Sequence, residues 1–340
     1  MPLGIAAILA GCGNQSQNGI PPTVARAALG SPANLDSAKT KQAERLFVSD
    51  PGTGDIDIFE IPSLKIFTVL QGFGQPQGEC ADDKGDVWIT GGSSKAIYEL
   101  TYSGGQKNQL DDTYGDPDGC AWNPMNGNVA VMNVFDNAGE SGLVLVYHHG
   151  SGAPNTFQNL KQHYYNFGGY DSSGNLFFDG SSLNGRFMLS ELSVNGASAH
   201  TVSISGGKIY QAGMVQWDSS ANRLIVGDQR CGEATRSCLY YLSISGKHAT
   251  IEGRIDLSSS QGGAVCDVVQ GVIMGRELFA SDNNTCGSAR SATYSWKFPA
   301  GGAPLAQNAK FAVTPFGAAV AVSHLRTAEK NNFGGPRHDP

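Results

Sequence analysis

Apolar residues in this chain come in short bursts rather than on long helical faces. Stretches such as DIDIFEI (55–61), GLVLVYHH (142–149) and RFMLSEL (186–192) alternate or run apolar over strand length. Few windows place apolar residues at i, i+3, i+4 and i+7, so the pattern predicts an all-β protein. The bursts are separated by turns rich in Gly, Asn and Asp, residues that adopt the positive φ of tight hairpins.

The bursts repeat. PQGECADDKGDVWIT (76–90) combines a Pro-x-Gly turn, a cysteine, an acidic turn at Asp82–Asp86 and an apolar strand. PDGCAWNPMNGNVAVMN (117–133) has the same order, and weaker relatives lie at 43–50, 170–180, 217–228 and 273–282. Taking Leu46, Val87, Val129, Leu176, Leu224 and Leu278 as equivalent gives spacings of 41, 42, 47, 48 and 54 residues. Each unit then offers a further apolar strand, such as AIYELTY (96–102) or CLYYLSI (238–244), and a more polar fourth segment. Four strands in about 40–50 residues correspond to one propeller blade. The expectation is therefore a six-bladed β-propeller of four-stranded antiparallel blades over residues 43–324. PFGAAVAVS (315–323) reads as an inner strand with no blade after it, whereas AERLFVSD (43–50) opens a blade that lacks one. Pairing of 318–322 with 45–48 would close the ring and remove an exposed edge.

The Pro-x-Gly, Asp-x-x-Gly-Asn and apolar-strand pattern resembles the NHL-repeat and gluconolactonase/regucalcin-type six-bladed propellers. That resemblance implies a fold that hosts hydrolases, lyases and pure binding proteins. In gluconolactonase-type members one divalent metal sits in the axial pocket on Glu, Asn and Asp, where a hard cation polarises a lactone carbonyl. The matching residue types here are Glu79, Asn133 and Asp228, with Ca or another divalent ion as the cofactor they would hold. The family's Glu-Gly-Pro opening is absent, and its Asp-Gly-x-x-x-Asp motif survives only as Asp118-Gly119 followed by CAWN.

The two ends look different. MPLGIAAILAGC (1–12) is apolar and ends in Leu9-Ala10-Gly11-Cys12, which resembles the lipobox of bacterial lipoproteins, with Cys12 as the lipidated residue. Residues 13–42 are polar and punctuated by Pro and Gly, as expected of a disordered tether, and 325–340 read as a disordered tail. No apolar segment reaches the ~18 residues that would span a bilayer. Beyond Cys12 the six cysteines form an even set suited to an oxidising compartment. The repeat register pairs Cys80 with Cys120, Cys231 with Cys238, and Cys266 with Cys286.

Charge and motif chemistry narrow the function. The net charge of −7 is spread along the chain without a Lys/Arg cluster, which argues against nucleic acid as a partner. GxSxG, HExxH and Walker motifs are absent. His148 and His149 are expected on opposite faces of one strand, and DDTYGDPDG (111–119) is read as a connecting loop rather than a calcium loop. Polar residues at blade starts and second-strand ends could line the axial pocket: Asp50, Glu79, Asp118, Asn133, Asp179, Gln216, Asp228, Asp267 and Asp282. The expected function is an exported, lipid-anchored, monomeric module that binds a ligand or an envelope protein without catalysis, on the periplasmic or extracellular side. The alternative is a metal-dependent, lactonase-like hydrolase or lyase at the axial pocket.

Overall fold

The computed structural model describes residues 43–233, 236–283, 291–310 and 312–323. Cys12, the expected leader and tether (1–42), the tail (325–340) and Cys286 lie outside the described residues.

The described chain is all-β apart from a 3-10 turn at Cys231–Glu233. Its strands fall into quartets, each an antiparallel meander. One is β24 (Ala319–Val322), β1 (Glu44–Asp50), β2 (Asp55–Glu60) and β3 (Lys65–Leu70). The next two are β4 (Pro76–Ala81), β5 (Val87–Gly91), β6 (Ala96–Leu100) and β7 (Gln106–Asp111), then β8 (Gly115–Trp122), β9 (Val129–Asp136), β10 (Leu143–His148) and β11 (Ser151–Phe157). There follow β12 (Tyr164–Tyr170), β13 (Leu176–Ser181), β14 (Phe187–Leu192) and β15 (His200–Ser205), and β16 (Val215–Asp218), β17 (Arg223–Asp228), β18 (Cys238–Ser245) and β19 (His248–Asp256). The last is β20 (Val268–Met274), β21 (Glu277–Asp282), β22 (Ala292–Lys297) and β23 (Pro304–Asn308).

The first strands β24, β4, β8, β12, β16 and β20 touch one another in that cyclic order, with β20 returning to β24. The C-terminal strand completes the first quartet, with Arg45 opposite Ala321, Leu46 opposite Val320 and Phe47 opposite Ala319. Apolar side chains gather between successive quartets rather than in one core. In β5, Val87 and Ile89 pack with Phe47 and Ile56 of the preceding quartet, while Trp88 between them packs with Val129 and Leu145 of the following one. This is the period-two alternation of a strand covered on both faces, which explains why the second strands read as continuous apolar runs.

Three expectations need correction. Among the described residues the quartets are not six separate sheets but five, because β15 and β19 pair in parallel over Ser203–Ser205 and His248–Thr250 and merge two quartets into one eight-stranded sheet. The contact satisfies outer-edge groups that would otherwise face water: the Ser203 N–H donates to Lys247 O at 2.9 Å, and Ser205 Oγ lies 3.1 Å from Thr250 Oγ1. The Pro-x-Gly segments are not turns; Gly78 and Gly119 lie inside β4 and β8. Their value is the missing side chain, since a Cβ on Gly78 would stand 2.5 Å from Asp118 O and one on Gly119 2.3 Å from Asn166 O. Finally, His149 lies beyond the end of β10 with φ 49°, so the two histidines do not share a strand.

Two disulfides sit where the repeat register puts them. Cys80–Cys120 joins β4 to β8 with Cα atoms 5.6 Å apart, and Cys231–Cys238 closes the loop before β18 at 5.7 Å. Cys266 is also disulfide-bonded. Bridges of this kind suit an oxidising, extracytoplasmic compartment.

Candidate binding face

In every quartet the hairpin between the second and third strands and the connection into the next first strand emerge on one face. Most of the polar residues singled out from the sequence lie at or just below this loop face, and most of them hold backbone.

The second strands β1, β17 and β21 end in Asp50, Asp228 and Asp282, and each of these carboxylates accepts hydrogen bonds from the segment leading into its own first strand. Asp50 takes the N–H groups of Val313 (2.6 Å) and Thr314 (3.1 Å). Asp228 takes those of Tyr210 (3.1 Å), Gln211 (3.0 Å) and Arg230 (2.9 Å), and Asp282 those of Cys266 (3.3 Å) and Asp267 (3.0 Å). Burial raises the Asp228 carboxyl above its ordinary range, and the three backbone donors work against that rise. Asp267 thus takes part through its N–H, on a loop that Asp282 anchors.

One residue earlier, a second set of side chains joins neighbouring first strands. The Ser49 hydroxyl accepts from Gly317 N–H at 2.7 Å and donates to Gln77 O. Thr90 Oγ1 lies 3.2 Å from Gly78 O and 2.9 Å from Asp118 O. Asp179, fully buried, accepts from Phe167 N–H at 3.0 Å and Gly213 N–H at 2.9 Å. Burial pushes its carboxyl well above the usual range, partly offset by those donors. Two glutamines act as ladder rungs: the Gln216 amide pairs with the N–H and C=O of Ile273, and the Gln270 amide with those of Glu79.

Glu79, Asn133 and Asp228, the residue types matching a lactonase metal site, have separate surroundings. Glu79 is buried, its carboxyl near the Ala319 amide but without a hydrogen bond of good geometry, and burial holds its pKa well above the ordinary range. Asn133, also fully buried, faces the Asp112 carboxyl, and Asp228 is occupied by the loop before β16. The axis is crossed at this depth by aromatic rings. Phe167 of β12 and Phe316, just before β24, come from opposite sides of the ring of first strands and meet with centroids 5.8 Å apart.

Among the axial candidates, Asp118 lies at the loop-face end of β8 and is itself buried. It is 8% exposed, and its Oδ2 accepts from Asn166 Nδ2 at 2.9 Å. Burial raises its pKa to about 7; Asn166 lowers it and nearby Asp116 raises it further. Asp116 and Gln77 both reach Gly92, at 3.1 and 3.5 Å from where a Cβ would stand there. Gln77, Asp116, Asp118 and Asn166 therefore form a polar mouth at the loop-face ends of β4, β8 and β12. Sequence reasoning singled out Asp118 alone among them. The usable signal was register, because Gln77 and Asp118 both precede the close-approach glycine. Exposed apolar residues surround this region on the same face, notably Leu160 at 97% and Leu183 at 70% exposure, with Tyr114 and Val313.

On the opposite face Asp82, Asp86 and Glu99 bring carboxylate oxygens within 4.8 Å of one another, the one such acidic group among the described residues. The Lys107 ammonium already fills it, at 2.7 Å from Asp86 and 2.6 Å from Glu99. Asp82 accepts the N–H groups of Lys84 and Asp86, both at 2.9 Å, which is the hairpin chemistry expected of this turn.

No known family profile matches the chain, and no curated protein is detectably similar to it in sequence. Solved structures are more informative. A propeller chain from a nidogen/laminin complex aligns with a TM-score of 0.63 at 12% identity, covering 83% of this chain and 99% of the other. A protein of unknown function from Bacteroides caccae aligns with a TM-score of 0.60 at 14% identity, over 82% and 99%. The fold is a β-propeller. Within this propeller the mouth and the loop face around it combine accessible polar groups with exposed apolar side chains.

Proposed function

We propose that this protein is an exported, lipid-anchored, six-bladed β-propeller that binds a ligand or an envelope protein through its loop face without catalysis. In this reading each quartet is a blade, the eight-stranded sheet is two blades joined at their outer edges, and Cys12 carries the lipid. One observation carries the non-catalytic part. Asp50, Asp179, Asp228 and Asp282, acids that could have made an axial reaction centre, bind backbone N–H groups instead, and Phe167 and Phe316 meet across the axis. Fixing loops with carboxylates favours a rigid presenting surface, the arrangement expected of a binding scaffold.

The test uses the full chain expressed in a bacterium. Wild-type protein is expected in the membrane fraction, and Cys12→Ser in the soluble fraction. Purified protein, offered a panel of lactones with calcium, manganese or zinc, is expected to show no turnover above the metal-only control. Metal-dependent hydrolysis that a chelator abolishes would replace this reading with the lactonase-like one, and Cys12→Ser protein remaining in the membrane would remove the anchor.

A further inference from the structure

A cleft of about 550 Å³ opens on the loop face between the β13–β14 hairpin and the segment leaving β15. Arg186, Phe187, Ile204, Lys208, Ile209 and Tyr210 form its walls. The size lies within the roughly 300–1,000 Å³ of small-molecule sites, and the make-up is also theirs: mostly apolar walls with a few polar groups.

The walls are fixed by the fold. Parallel pairing of β15 with β19 holds Ile204 opposite Ala249. Phe187 and Ile204 pack against the core cluster that contains Leu189 and Val202. The far wall is anchored at Tyr210, whose N–H bonds to Asp228, and the Lys208 ammonium lies 4.0 Å from the Tyr210 ring centroid. The described lining carries two cationic side chains and no carboxylate, in a chain whose net charge is −7. Arg186 is exposed and takes part in no ion pair among the described residues.

We propose that this cleft binds a small organic anion, a carboxylate carried on an apolar body of about the size of one or two fused rings. The apolar walls take the body, and the Arg186 guanidinium presents a planar fork suited to a carboxylate. The site rests on the assignment of the loop face as the binding face and names a ligand class for it.

The test is titration of the full chain with 1-naphthoate and with neutral 1-naphthamide, followed by calorimetry at low salt. The acid is expected to bind at least tenfold more tightly than the amide. Arg186→Ala should remove that preference while leaving the melting temperature unchanged, since the side chain is exposed, and Arg186→Lys should keep part of it. Gly207→Phe is a second variant that narrows the cleft with both cations in place, and it should weaken both ligands. A Cβ at Gly207 would come no nearer than 3.1 Å, to the end of the Ile251 side chain, so this variant is expected to fold. Equal affinity for acid and amide, absence of binding at millimolar concentration, or an acid preference that survives Arg186→Ala would each overturn the site. None of these results alters the membrane fractionation or the lactone assay, so failure of the cleft is separable from failure of the binding-module reading.

Discussion

Replacing Gly119 by alanine tests the close-approach role of the repeated glycine. Gly119 has no left-handed φ, so a side chain there meets no backbone strain and acts through contact alone. The new Cβ would stand 2.3 Å from Asn166 O and 3.2 Å from Phe167 Cα. Comfortable carbon–oxygen contacts begin near ~3.3 Å, so β8 and β12 must separate by roughly 1 Å. Both obstacles are backbone of a neighbouring first strand, which cannot rotate away as a flexible side chain would. Overpacking of this kind costs about 1–3 kcal/mol. Alanine also restricts the unfolded chain, which returns about 0.4–1 kcal/mol. The net destabilisation should be about 1–2 kcal/mol, a fall in melting temperature of roughly 2–4 °C for a domain of this size. The assay is thermal unfolding followed by circular dichroism, with Gly263→Ala as the control. There a Cβ would meet nothing nearer than Ser259 Oγ at 3.5 Å, so the control should be neutral or slightly stabilising. A Gly119→Ala protein that melts at or above the wild-type temperature would refute the account.

Other consequences concern the acids and the bridges. The Asp118 carboxyl titrates near 4 in the unfolded chain and at about 7 in the fold. The unfolded state therefore ionises first, and stability present below pH ~4 is lost as pH rises towards ~7. Asp118→Asn should flatten that part of the stability–pH curve and stabilise at pH 8 by at most roughly 4 kcal/mol, measured by urea unfolding at several pH values; an unchanged profile would show that Asp118 ionises freely. Asp228→Ala removes the acceptor for the amides of Tyr210, Gln211 and Arg230. Hydrogen exchange at these amides should accelerate, with a stability loss of about 1–3 kcal/mol, and retained protection would contradict the anchoring role. The double change Cys80→Ser with Cys120→Ser frees a 40-residue separation and should cost about 4 kcal/mol by loop-closure entropy, read from chemical denaturation; a loss near zero would mean the first-strand ring holds without the bridge.

Much of the secondary structure and its repetition is legible in the sequence, because strand patterning and turn chemistry are local. The stretches read as third strands are β2, β6, β10, β14, β18 and β22, and the close of the first quartet by 319–322 follows from an inner strand left over at one end and missing at the other. Two of the expected cysteine pairs, Cys80–Cys120 and Cys231–Cys238, followed from the register of the repeat. The functional assignments were harder. Asp228 and Asp282 have the residue type of metal ligands, and nothing within their own strands shows that their oxygens point at backbone N–H groups 15 to 18 residues earlier.

What the sequence determined by itself is a chain of short twisted strands in units of similar length, with apolar residues on both faces of the second strands. What the tertiary structure decided is the close contact between units: glycines pressed against the next carbonyl, Gln270 bonded to the backbone of Glu79, aromatic rings across the axis, and two outer edges drawn together beneath a cleft. The physical reason is range. A strand or hairpin depends on a few neighbouring residues, whereas a side chain's partner in this fold can lie 191 positions away and is settled only when the ring closes.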